Sequence, residues 1–128
     1  MIIAIDFDGT IVESAFPKIG KIKANAERVI KRLFGEGHKI IIWTCRPINN
    51  KGLDEMKKWL KENDIPYHKI NENIDGIGMT TSNKVCADVY IDDMDVHCME
   101  KGVDWYHIEE IFENTGVFRL KFPKPSRS

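Results

Sequence analysis

Four short apolar runs, each halted by polar residues, the first three separated by helical patterns and the last two by a stretch that reads mostly as loop, constrain this chain more than any other feature. The first, residues 2–7, is apolar from Ile2 to Ile5 and closes on Asp6, Phe7 and Asp8. A continuous run of this length suits a strand buried on both faces. A second β-branched strand is expected over 38–44, a short third over 65–70, and a fourth over 85–91, ending at Asp92-Asp93. Between the first two, Ala26, Val29, Ile30 and Leu33 fall at helical spacing, with Asn25 as N-cap and Gly37 as the stop. Leu53, Met56, Trp59 and Leu60 line one side of a second helix over 51–64, and 104–114 reads as a last helix. Strands alternating with helices imply an α/β fold, a Rossmann-like doubly wound parallel sheet with helices on both faces.

Length and charge narrow the options. The 128 residues fit one domain, taken as 1–120, followed by a Pro- and Lys/Arg-containing tail, 121–128, expected to be loose. The formal net charge of −1 supplies no basic field, so nucleic acid loses its cheapest support as a partner without being excluded. The three cysteines, Cys45, Cys86 and Cys98, are odd in number and lack C-x-x-C spacing. Neither a disulfide framework nor a zinc site is indicated, and a reduced, cytoplasmic setting is the simplest reading. The opening apolar stretch is too short for a signal peptide, and no run approaches the length that crosses a bilayer, so no membrane partner is expected.

In parallel sheets ligands bind beyond the carboxyl ends of the strands. That rule gathers residues from distant parts of the chain. Asp6 and Asp8 end the first strand, Thr44 the second, Asp92 and Asp93 the fourth, and Lys84 stands just before the fourth. Side chains alternate along a strand, so Asp6 and Asp8 project the same way and repel. Protons, cationic side chains or a hard divalent cation would offset the charge. An open set of oxygen donors suits Mg²⁺, which keeps positions for water or substrate phosphate. A phosphoryl group is then the natural guest, with Lys84 neutralising its oxygens and Thr44 donating a hydrogen bond. Backbone N–H groups near Gly9 can approach it closely, because glycine has no Cβ. An aspartate meeting such a group in line can act as nucleophile.

The segments Asp-Phe-Asp-Gly-Thr (6–10) and Ile-Ile-Ile-Trp-Thr (40–44), then Lys84 and Asp-Val-Tyr-Ile-Asp-Asp (88–93), resemble the four motifs of the haloacid dehalogenase superfamily of phosphatases, in the family's order. The resemblance spans about residues 2–93, and all four motifs in order are far more specific than the first alone. It implies a Mg²⁺-dependent phosphomonoester hydrolase working through an aspartyl-phosphate. Asp6 would be the nucleophile. Asp8 would protonate the leaving alkoxide, then accept a proton from water, and its backbone carbonyl would also ligate Mg²⁺. Thr44 would bind the phosphoryl group and Lys84 would balance charge. The metal set would be Asp6, Asp8 and the Asp92-Asp93 pair, with Asp93 the favoured ligand of the pair; Asp95 is a further candidate, and His97 stands where another variant of the family has an acid.

Gly9, Thr44, Cys45 and Arg46 form the expected substrate-binding edge. Arg46 has two readings of equal weight, a binder of a second anionic group or a surface cation paired with a carboxylate. Cys45 carries no signal for a thiolate and reads better as a half-buried spectator. For His68 a structural role outweighs a place in the site; His97 and His107 are expected on loops or helix surfaces. Trp43 is expected in the core, and Trp59 and Trp105 under helices.

Family members often insert a cap after the first motif or between the second and third. Neither interval here has room for one. The result is an open site, suited to a small phosphorylated molecule, a macromolecular end, or closure by a second copy of the chain. The alternative is a phospho-accepting signalling domain of receiver type without turnover. That domain needs an acidic pair on the first strand and a lone acceptor Asp on the third, and residues 65–70 end without one. A non-catalytic binding module has no support, since every reactive position is filled.

Overall fold

The computed structural model describes residues 1–47, 51–76 and 83–127. Four strands, β1 (Ile2–Asp6), β2 (Lys39–Trp43), β3 (Lys69–Ile70) and β4 (Val89–Ile91), form one sheet in the order β3-β2-β1-β4. Every pairing is parallel, with Asp6 in register with Trp43 and Ile5 in register with both Ile42 and Ile91. Among the described residues three α-helices accompany them, α1 (Ala26–Gly35), α2 (Gly52–Glu62) and α3 (Trp105–Asn114). The expected Rossmann-like α/β sheet is the observed one.

The chain winds from β1 to β2 to β3 in one direction, then crosses back to place β4 on the other side of β1. The reversal opens a crevice at the carboxyl ends of β1 and β4, the place where such folds hold ligands. The winding also sets which face each helix covers, because crossovers between parallel strands are right-handed. Ile3 and Ile5 of β1 and Ile40 and Ile42 of β2 share the main core with the apolar faces of α1, α2 and α3. On the opposite face, Ala4 and Ile41 meet Val85, Ile74 and Ala87, residues of the β3–β4 connection. Helix layers were expected on both faces; among the described residues all three helices lie on one.

The element boundaries differ from expectation where turn chemistry prevails. The third strand keeps only two residues of 65–70. Pro66 has no N–H for the ladder, and Ile65 instead joins the main core. The fourth keeps three residues of 85–91, because the Tyr90 hydroxyl donates to the Val85 carbonyl at 2.5 Å and accepts from the Ala87 N–H at 3.2 Å, closing 85–87 as a loop. Asn25 precedes α1 with a left-handed φ of 68° and no side-chain cap; its Oδ1 accepts from Arg28 instead. His68 is structural: its Nδ1 accepts from the Ile40 N–H at 3.0 Å and its ring stacks on Phe34.

The tail is not loose as far as it is described. Lys124 pairs with Glu113 at 2.6 Å, the Phe122 N–H donates to Glu113 at 3.2 Å, and Arg127 pairs with Asp104 at 2.5 Å. Glu113 belongs to a charged layer between α1 and α3. Arg28 and Arg32 reach the buried Glu109 at 2.6 Å and 2.9 Å, and Arg32 also reaches Glu113 at 3.0 Å. Burial pushes the Glu113 carboxyl up, but hydrogen bonds from Lys124 and Arg32 outweigh it and hold the group down at about 2.

Candidate active site

β1 ends at Asp6, and the chain then turns sharply. Ile11 and Val12 N–H groups both donate to the Phe7 carbonyl, at 3.0 and 3.3 Å, and the Gly9 N–H donates to Val12 at 2.8 Å. Gly9 has φ +84°, and a Cβ there would sit 2.1 Å from Asp93 Oδ2. Only glycine allows the first-strand turn and the end of β4 to approach this closely. The Gly9 amide is engaged within the turn, so the glycine's contribution in this structure is space for Asp93.

Thr10 fastens the two acidic segments together. Its buried hydroxyl donates to Asp6 Oδ2 at 3.0 Å and accepts from the Asp93 N–H at 2.9 Å. Its carbonyl accepts from the Trp105 indole N–H at 2.8 Å, which ties the turn to α3. The result is a triad: carboxylate oxygens of Asp6, Asp92 and Asp93 lie within 4.8 Å of one another. Burial, followed by the touching Asp93 carboxyl and the Asp92 charge, raises Asp6 to about 8, against the lowering effect of the Thr10 hydroxyl. Three carboxyls this close need a proton or a cation among them. Their all-oxygen donor set is that of a hard divalent ion. Asp95 is not in the triad: its Oδ1 caps the turn at 96–98 by accepting from the His97 N–H at 2.9 Å.

The Asp8 carboxylate stands apart from the triad. Arg46 holds it by two parallel bonds, Nε to Oδ2 at 2.8 Å and Nη2 to Oδ1 at 2.7 Å. The Arg46 side chain is only 1% exposed. It also donates to the carbonyls of Pro17 and Lys18 at 3.3 and 3.1 Å, and its guanidinium lies 5.2 Å from the Phe16 ring centre. Arg46 is therefore paired with a carboxylate, as one of its two readings had it, but in a buried place rather than on the surface. It is a buried post joining Asp8 to the 16–18 loop.

Thr44 lies at the end of β2, 9% exposed. Its hydroxyl accepts from the Arg46 N–H at 3.1 Å, which leaves its own proton to donate. Asn71 grips the Thr44 peptide from both sides, Oδ1 to the N–H at 2.8 Å and Nδ2 to the carbonyl at 2.9 Å. Sequence reasoning missed Asn71, although its place at the end of β3 was a usable signal. Cys45 is exposed rather than half-buried. Lys84 is exposed, with its ammonium 4.5 Å from the Tyr90 ring centre.

A cavity of about 500 Å³ opens over these groups. Its polar lining includes Asp6, Asp8, Asp92, Asp93, Thr44 and Asn71, and its large apolar lining residues are Phe16, Trp43 and Met94. Lys84 is not on its wall. A smaller cavity of about 280 Å³, near Lys23, Lys101 and Arg127, contains none of the strand-end carboxylates of the first and fourth strands. β3 ends at Ile70 and is followed by Asn71, without the acceptor carboxylate that a receiver-type domain requires.

A sequence model of the haloacid dehalogenase-like hydrolases matches residues 3–97. A solved structure of a conserved protein from Bacteroides thetaiotaomicron is similar at 34% identity and a TM-score of 0.78, over 90% of this chain and 91% of that one. No curated protein matches.

Proposed function

The chain belongs to the haloacid dehalogenase-like hydrolases, and from that premise we propose that it is a Mg²⁺-dependent phosphomonoester hydrolase with Asp6 as nucleophile. The observation that carries this reading is the triad of Asp6, Asp92 and Asp93 at the switch point of the sheet. Its oxygen donors fit Mg²⁺, which Asp6, Asp92 and Asp93 would hold, with the Asp8 backbone carbonyl as the family resemblance implies. Bound there, Mg²⁺ would draw charge from the phosphoryl oxygens and relieve the repulsion among the carboxylates.

The chain's own groups do the rest. Thr44 donates its hydroxyl proton to a phosphoryl oxygen, with the Asn71 clamp fixing the backbone that carries it. The Thr10 hydroxyl orients Asp6, leaving the other carboxylate oxygen for attack. Attack forms a bond from Asp6 to phosphorus as the ester P–O bond breaks, and Asp8 gives its proton to the leaving alkoxide. A water then attacks phosphorus, Asp8 takes its proton, and the Asp6–phosphorus link breaks to free phosphate. Arg46 holds the Asp8 carboxylate in place for this second half through both arms of its fork. In the first half Asp8 carries a proton and must slacken one arm of the Arg46 fork. Lys84 stays in this scheme as the cation balancing nucleophile and phosphate, a role that requires it to turn from Tyr90 toward the site.

Phosphate release from benzyl phosphate with and without Mg²⁺, in the wild type and in Asp6→Asn, tests the reading. Release that depends on Mg²⁺ and vanishes in Asp6→Asn is expected. Release retained in Asp6→Asn contradicts it.

A further inference from the structure

We propose that the site selects phosphate esters whose leaving group is flat, apolar and uncharged, seated between Phe16, Trp43 and Met94. This deepens the phosphatase reading and rests on it for the position of the phosphoryl group.

Two independent observations carry it. The first is the apolar part of the cavity's lining. Trp43 is the register partner of Asp6, so the two side chains leave adjacent strands on the same face of the sheet. Trp43 packs against the cluster of Ala4, Ile41 and Val85 and also lines the cavity. Phe16 and Met94 line the same cavity while 57% and 84% exposed. Large apolar groups left this open beside a polar site mark a surface awaiting a ligand. Phe16 is also held in place, since Arg46 binds the two carbonyls that follow it and lies over its ring. Met94 is unbranched and adaptable, suited to closing over rings of different shape.

The second observation is charge. Among the described residues on the cavity wall, Arg46 is the sole cation, and its guanidinium is bonded to Asp8 and to the Pro17 and Lys18 carbonyls. The wall otherwise carries four carboxylates. One cation bound at the triad, together with Lys84 where it turns in, serves the phosphoryl group. A second anionic group on the leaving side would face carboxylates with no cation of the wall to answer it, and its desolvation would go uncompensated.

The test compares four esters with alkoxide leaving groups, so that reactivity does not masquerade as recognition: ethyl, benzyl, 2-naphthylmethyl and 4-carboxybenzyl phosphate, each with Mg²⁺. We expect kcat/KM to rise from ethyl to benzyl to 2-naphthylmethyl, and to fall at least roughly tenfold from benzyl to 4-carboxybenzyl. Phe16→Ala and Met94→Ala should each shrink the 2-naphthylmethyl to ethyl ratio several-fold. Both residues are exposed, so neither change hollows the core, and an unchanged Tm checks that. Equal turnover of ethyl and 2-naphthylmethyl phosphate, or of benzyl and 4-carboxybenzyl phosphate, overturns the proposal while leaving the phosphatase reading intact. If no ester turns over, the phosphatase reading falls, and calorimetry with (2-naphthylmethyl)phosphonate against methylphosphonate decides the subsite alone. Tighter binding of the naphthyl compound, lost in Phe16→Ala, sustains it; equal or absent binding refutes it.

Discussion

Arg46 grips Asp8 with both arms of its guanidinium fork, at 2.8 and 2.7 Å, while its own side chain is almost wholly buried. Lysine has no fork and cannot reproduce two parallel bonds. Arg46→Lys should therefore lower kcat by roughly ten- to a hundredfold, part of the ~10²–10⁴ that a positioned acid–base group supplies. Arg46→Ala, which also strands the Pro17 and Lys18 carbonyls, should cost about 3 kcal/mol of stability. Steady-state kinetics and denaturant unfolding check the two effects separately.

Gly9→Ala should disable the metal site before it disables the fold. The added Cβ would meet Asp93 Oδ2 at 2.1 Å, and the φ of +84° disfavours any side chain. The expected outcome is a loss of about 1–3 kcal/mol together with a diminished gain in Tm on adding Mg²⁺. Thermal unfolding with Mg²⁺ and with EDTA reads both.

The acidic edge of the site was legible because three of its parts lie at strand ends, and strand ends follow from apolar runs that stop. Asp6, Thr44 and Asp93 needed only that rule. The partner of Asp8 was not legible. Arg46 lies 38 positions away from it, and nothing in the spacing tells a buried fork from a surface cation. The short β3 and β4 were over-read for a different reason. Residues 65–70 and 85–91 look β-like, but Pro66 and the Tyr90 hydroxyl commit the backbone to turns. The pairing of α1 with α3 through charge was also hidden, since nothing in the spacing of Arg28, Arg32, Glu109 and Glu113 shows that these two helices pack together.

That charged layer carries its own prediction. Glu109 is 1% exposed and binds both Arg28 and Arg32. Glu109→Ala should cost about 3–5 kcal/mol, because it leaves Arg32 short of a partner in a buried place. Chemical denaturation should show the loss in the midpoint with little change in slope.

Glu113 sets an acid limit on stability. Its folded value of about 2 lies below the ordinary 4.5. A depressed carboxyl contributes stability that is fully present above the unfolded value and is lost as pH falls through the folded one. Stability should therefore decline from about pH 4.5 toward 2, and Glu113→Gln should flatten that part of the profile. Urea midpoints measured across this range decide it.

Asp6 is, in the proposed reaction, the group that takes the phosphoryl, and every other role at the site depends on it. Wild-type protein mixed with benzyl phosphate and Mg²⁺, quenched rapidly in acid and mapped by peptide mass spectrometry, should show one phosphoryl group on the peptide containing Asp6, and none in Asp6→Asn. A phosphoryl group on another residue, or turnover in the wild type with no adduct at any time point and undiminished turnover in Asp6→Asn, would contradict it.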